Sequence, residues 1–168
     1  MDSPSPMTTP LTLLDNTVLS NFALVGRPDI VQHLWADAAC TTPAAKAEYQ
    51  TGITAGLVPA TAWTDLPVVT LTETETAFAA GLPPRLGAGE RTCLAVALHR
   101  QGRLASDDQD ARSVARRHGV STTGTLGILV LGVRRGLLSK NEANALLKGM
   151  IAAGYRSPVT DLDSLLSQ

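Results

Sequence analysis

The sequence predicts an α/β fold built on a parallel sheet, and three observations predict it. Short apolar or β-branched runs are separated mainly by helical patterns, the alternation expected of parallel α/β units. The 168 residues are 44% hydrophobic and 17% charged, enough for one domain with a substantial core. Aromatic residues make up only 4%, so that core must be aliphatic and alanine-rich.

The elements follow in order. "LTLLD" (11–15) is an apolar run ending in an acid, a buried strand. "NTVLSNFALVG" offers Asn16 or Thr17 as a helix cap and Gly26 as a stop. "RPDIVQHLW" (27–35) reads as a short helix. "ACTTP" is a strand leading into the helix "PAAKAEYQTGITAG", with Pro43 in its first turn. "PVVTL" (67–71) is strand-like, and "TETETAFAAG" is a helix with acids in its first turn. After the loop "LPPRLGAG", "ERTCLAVALHRQG" (90–102) is a helix. "RLAS" (103–106) is a strand, "DQDARSVARRHG" (108–119) a helix, and "VSTTG" (120–124) the fifth strand. "TLGILVLGVRRGLL" is a helix apolar nearly all round, and therefore buried between other elements. In "SKNEANALLKGMIAAG", Ser139 and Glu142 form a capping box. "VTDLDSLLSQ" ends the chain as one short helix.

Residues 1–10 read as a flexible polar lead and 11–168 as a single domain. The lead has neither the basic region nor the apolar core of a signal peptide. The longest apolar run, 126–133, is too short to span a bilayer, so a soluble cytoplasmic protein with no membrane partner is expected. Cys40 and Cys93 lack metal-type spacing and read as reduced thiols, buried or free. The net charge of −1 gives no global attraction to nucleic acid. Residues 91–140, however, hold nine Lys/Arg against three Asp/Glu, a net +6.

Ligands of open parallel sheets bind beyond the carboxyl ends of the strands. Asp15 and the pair Asp107/Asp108 fall there, although a strand-terminal Asp also serves as a cap or turn former. Glu90 begins the stripe Glu90, Leu94, Ala97, Leu98, where an acid either faces inward or bends into water. Glu48 lies mid-helix between small neighbours, an ordinary solvated position when taken alone. Together these carboxylates would be costly without a divalent cation, and Mg²⁺ and Mn²⁺ take such oxygen ligands. A cation so bound can activate water and stabilise charge on a phosphate. Asp110 reads as a dipole partner or a solvated residue in the next helix, with Arg112 as a local counter-charge.

Four stretches in this order resemble the PIN-domain ribonucleases, in particular short bacterial VapC-type toxins and their relatives. They are "LLDNTVLSNFALVGR" (13–27), "TTPAAKAEYQTG" (41–52), "LGAGERTCLAVALHRQGRLASDDQDARSVARRHGV" (86–120) and "TGTLGILVLGVRRGLL" (123–138). The resemblance implies a three-layer α/β/α fold with a central, mainly parallel sheet of four to five strands. It implies Asp15, Glu48, Glu90 and Asp107 as catalytic acids; either Asp107 or Asp108 holds the fourth position, and both lie near the metal. The implied cofactor is Mg²⁺ or Mn²⁺. The implied activity is endonucleolytic RNA hydrolysis leaving 5′-phosphate and 3′-hydroxyl ends. Thr17 matches a hydroxyl residue that orients the first acid. The "TGT" at 123–125 matches a stretch at the same sheet end, able to bind water or phosphate or to act only as turn and cap. Asn16 departs from the Ser or Ala common in the family. An antitoxin partner and a homodimer are further implications. Arg112, Arg116, Arg117, Arg134 and Arg135 could hold RNA phosphates or serve as solvated helix ends.

Two other readings compete. Haloacid-dehalogenase-type phosphatase chemistry needs a second Asp two residues after the first; Thr17 stands there, and none of the three lysines is a clear candidate for the required one. A catalytically silent RNA- or protein-binding module would retain the fold and lose the acids.

Overall fold

The structure is a computed structural model and describes residues 9–60 and 62–168. Residues 1–8 of the expected lead lie outside the described residues. Four strands form one all-parallel sheet: β1 (Thr12–Leu14), β2 (Ala39–Cys40), β3 (Arg103–Ala105) and β4 (Ser121–Thr123), in the order β2-β1-β3-β4. Thr12 aligns with Ala39 on one side and with Arg103 on the other, and Arg103 aligns in turn with Ser121.

The expected strand 67–71 shrinks to an isolated parallel bridge, Val68 to Thr41. The reason is local. β2 ends at Cys40, and Thr42 already caps the next helix, so there is almost no strand left for "PVVTL" to pair with.

Helices connect and cover the sheet. α1 (Asn16–Leu24) and α2 (Asp29–Trp35) follow β1, and α3 (Pro43–Thr54) follows β2. α4 (Glu73–Ala80) and α5 (Ala88–His99) lead to β3, and α6 (Gln109–Arg117) follows it. α7 (Thr125–Arg134) follows β4; α8 (Lys140–Ala152) and the single turn α9 (Asp163–Leu166) complete the described chain. The Ser139–Glu142 capping box forms with both of its hydrogen bonds, at 3.0 and 3.1 Å. α7 covers its apolar run but stops four residues short of the expected helix "TLGILVLGVRRGLL". Gly136 adopts φ +75°, and Leu138 folds back so that its amide meets the Gly132 carbonyl at 3.2 Å.

The inner strands β1 and β3 are buried on both faces, and their alternate residues feed two cores, while the edge strand β4 stays partly exposed. Leu14 and Ala105 face Val18, Phe22, Val31, Ile128 and Met150 from α1, α2, α7 and α8. Leu13 and Leu104 face Leu94, Val96 and Val114 from α5 and α6. The result is three layers, α/β/α. Cys40 and Cys93 lie buried as free thiols in the second core. No helix among the described residues is long and apolar enough to cross a membrane.

α4 is tied to the end of α5 by an ion pair between the buried Glu75 and the exposed Arg100. Arg100 Nε and Nη2 each donate to Glu75 at 2.9 Å, and Nη2 also reaches the Thr70 carbonyl at 2.8 Å. The guanidinium holds the Glu75 carboxyl below its usual range.

At the α5–β3 turn the backbones nearly touch. A Cβ on Gly102 would stand 2.6 Å from the Leu11 carbonyl oxygen, next to the bond from Arg103 N–H to that same oxygen at 2.7 Å. Gly102→Ala is therefore expected to separate β3 from the start of β1 and to cost about 2–3 kcal/mol. An unchanged urea midpoint would show that the approach is not tight.

Candidate metal centre

Parallel strands all end at one edge of the sheet, and the helix after each strand begins there. That edge carries all five acids singled out by sequence: Asp15, Glu48, Glu90, Asp107 and Asp108. Each carboxylate lies on main-chain N–H groups at a helix start.

Asp15, rather than Asn16 or Thr17, is the N-cap of α1 and accepts from Asn16 N–H at 2.7 Å. Asp108 caps α6 and accepts from Asp110 N–H at 2.8 Å. Asp107 leaves β3 in the other direction, toward α7. Its two oxygens accept from Thr125 N–H at 2.7 Å and from Thr125 Oγ1 at 2.6 Å. Asn21 Nδ2 adds a bond to the second oxygen at 3.2 Å. α5 starts earlier than expected, at Ala88, which makes Glu90 its third residue; Glu90 reaches back to Gly87 N–H at 2.6 Å. Glu48 crosses from α3 to accept from Gly89 N–H at 2.8 Å. α3 and α5 can approach this closely because residue 89 is glycine. A Cβ there would stand 2.9 Å from Glu48 Oε2 and 3.0 Å from the Ala45 Cα.

The acids feel one another. Asp15, 1% exposed, is pushed up to about 6 by burial, with Glu48 and Asp107 adding repulsion against the lowering bonds from Asn16 and Ser106. Glu90 rises to about 7, first through burial, then through Asp15 and Asp108. Within 4.0 Å no Lys, Arg or His nitrogen pairs with any of the five among the described residues. Glu75 makes the contrast: it is also 1% exposed, but it has less protein packed around it and a bidentate arginine upon it, and it moves the other way.

An acid set without cationic partners, with oxygen donors only, fits a hard divalent cation. The side chains are presently turned onto amides and hydroxyls. Among the described residues no three His, Cys, Asp or Glu side chains form a ready-made cage. Ion binding therefore requires some of the five carboxylates to turn from helix N–H groups toward one another.

Three positioning residues lie outside that acid set. Ser106 is fully buried; its Oγ donates to Asp15 Oδ2 at 3.1 Å and accepts from Asp108 N–H at 3.2 Å. It does what was expected of Thr17, which is exposed. Asn21 holds Asp107 and also donates to Thr125 Oγ1 at 3.1 Å. Its signal is a polar side chain in the apolar register of α1, between Val18 and Phe22. Thr125, within the "TGT" stretch, bonds Asp107 rather than solvent.

The arginines divide. Arg112 donates to the Ser106 carbonyl at 3.3 Å, while Asp110, its expected partner, pairs with Arg85 at 3.7 Å. Arg134 donates to the Leu165 and Gln168 carbonyls at 3.2 Å each. Arg116, Arg117 and Arg135 are exposed.

The uncompensated charge of Asp15 has a stability consequence. Its folded value, about 6, lies above the ordinary 3.8, so the metal-free fold is weakened as pH rises from about 4 through 6. Asp15→Asn is expected to stabilise the metal-free protein at pH 8 by on the order of 2 kcal/mol. The gain should shrink as pH falls toward 4. Calorimetric melting in EDTA checks this, and a lower melting point than wild type at pH 8 would contradict it.

A family model described as PIN domain matches residues 11–168. No curated protein and no solved structure matches the chain. PIN domains are generally nucleases and typically use divalent metals. With the three-layer parallel fold and the acids gathered at one sheet edge, that match means that this chain belongs to the PIN-domain family.

Proposed function

We propose that this protein is a Mg²⁺- or Mn²⁺-dependent endoribonuclease. The observation that carries the reading is Asp15: a buried carboxylate at a strand end, repelled by Glu48 and Asp107 and paired with no cation. Asp15, Glu48, Glu90 and Asp107, with Asp108 beside them, would hold the ion.

A bound cation would supply Lewis acidity, neutralising phosphate charge and making water more acidic. The chain's own groups set the geometry. Ser106 fixes the Asp15 carboxylate while holding the amide of Asp108. Thr125 and Asn21 fix Asp107. Glu90, pushed up to about 7, is only partly ionised in the metal-free site near neutrality and must be ionised to serve as a ligand.

A silent PIN-fold binding module is favoured by one observation: both Asp107 oxygens are already engaged by Thr125. Cleavage of RNA separates the two readings. Wild type is expected to cut single-stranded RNA only with Mg²⁺ or Mn²⁺, and Asp15→Asn and Glu90→Gln to lose at least about a hundredfold in rate. Metal-dependent cleavage that survives Asp15→Asn defeats the assignment. Absence of Mn²⁺ binding by calorimetry favours the module.

The biological role we propose is a cytoplasmic toxin, a homodimer neutralised by a separate antitoxin; the resemblance supports it. Sequencing the adjacent reading frame is expected to find a small DNA-binding protein with a disordered tail. Its absence argues for an RNA-processing enzyme instead.

A further inference from the structure

Asp107 stands between two clefts. One, about 450 Å³, is lined by Glu90, Asp107 and Asp108 and by polar residues of α1. The other, about 600 Å³, carries Arg112, Arg134 and Arg156, with Asp107 as its single acid. Tyr155 and Arg156 line both. Neither residue stood out in the sequence.

The backbone pins these two side chains. α8 ends at Ala152, and Gly154 turns the chain with φ +116°, a conformation that L side chains rarely adopt. Tyr155 N–H returns to the Met150 carbonyl at 2.9 Å. Beyond Arg156, Ser157 Oγ donates to the Val159 carbonyl at 2.6 Å and accepts its N–H at 3.2 Å. The Tyr155 ring packs in part on the core beneath, and Arg156 is exposed. The phenol lies in the fields of Asp107 and Arg112; burial first, then Asp107, pushes it well above its usual range, so it stays a neutral hydroxyl.

An aromatic side chain flanked by guanidiniums is how proteins grip unpaired nucleotides: the base stacks, and the phosphate takes the charge. A cleft of this volume falls within the range of about 300–1,000 Å³ that encloses small-molecule ligands. We propose that the arginine-lined cleft binds one flanking nucleotide of a single-stranded substrate, its base against Tyr155 and its phosphate at Arg112 and Arg156. Arg134 is occupied by the C-terminal carbonyls and shapes the wall. The inference rests on the nuclease reading of the adjoining acid cleft and adds a preference for unpaired strands.

The test is a fluorescence-anisotropy titration of a labelled single-stranded RNA heptamer in EDTA, where cleavage cannot contribute. Wild type and Tyr155→Phe are expected to bind alike, and Tyr155→Ala to bind about tenfold more weakly. Arg156→Gln should weaken binding several-fold and lower the salt slope by about 0.7, one phosphate's worth. Arg117→Gln, which removes the same charge outside both clefts, should bind as wild type. A duplex of the same sequence should bind more weakly and ignore Tyr155→Ala. The proposal is overturned if wild type does not bind, if a well-folded Tyr155→Ala keeps wild-type affinity, or if Arg156→Gln matches Arg117→Gln. Should Tyr155→Ala fail to fold, Arg156→Gln and its salt slope decide. Tyr155-dependent binding without metal-dependent cleavage would count against the nuclease reading alone, while metal-dependent cleavage with binding indifferent to Tyr155 and Arg156 would count against this inference alone.

Discussion

Parallel strands that end together force the helices after them to begin together, and the rest of the molecule answers to that constraint. α1, α3, α6 and α7 all start at one sheet edge, and α5 brings its own first turn there. Their free N–H groups form a field of donors with no acceptors in the regular structure. The chain fills it with carboxylates: Asp15 on α1, Glu48 and Glu90 on α5, Asp108 on α6 and Asp107 on α7. Five acids can thus converge with no paired cation because helix termini take part of the work a cation would do.

They take only part of it. A helix terminus stabilises a nearby charge by about 0.3–1 kcal/mol, and burying an ion costs several. Asp15 shows which effect wins, since burial outweighs both hydrogen bonds it receives. Elsewhere the same chain solves the same problem fully, by placing the Arg100 fork on Glu75. Of these two buried acids, one is neutralised internally, and the other leaves the metal-free fold less stable than it need be.

Much of this was legible in the sequence where the relevant contact is local. The capping box at Ser139 and Glu142, Pro43 at a helix start and the strand-end acid at 15 are all within a few residues of what they cap or contact. What escaped was non-local. "PVVTL" has strand composition, but its pairing depends on how soon Thr42 begins a helix. Asp107 and Asp108 are neighbours in sequence and serve different helices, a divergence set by α7, 18 residues on from Asp107. Ser106 and Asn21 hold acids 91 and 86 residues away, which no periodicity records. Thr17 is exposed and lines the acid cleft, but the hydroxyl that bonds Asp15 is that of Ser106, just past β3.

The register of β1 has a consequence in time. β1 is an inner strand of the sheet, yet its partner β3 aligns Thr12 with Arg103, and Asp107 is held only once Thr125 has been made. A chain emerging from the ribosome therefore carries Asp15 and Glu48 long before it can bring them to their fellows. Contacts of such long range form late in folding. The acid edge is thus assembled only after Thr125 has been made, and no nascent fragment ending before β3 holds it.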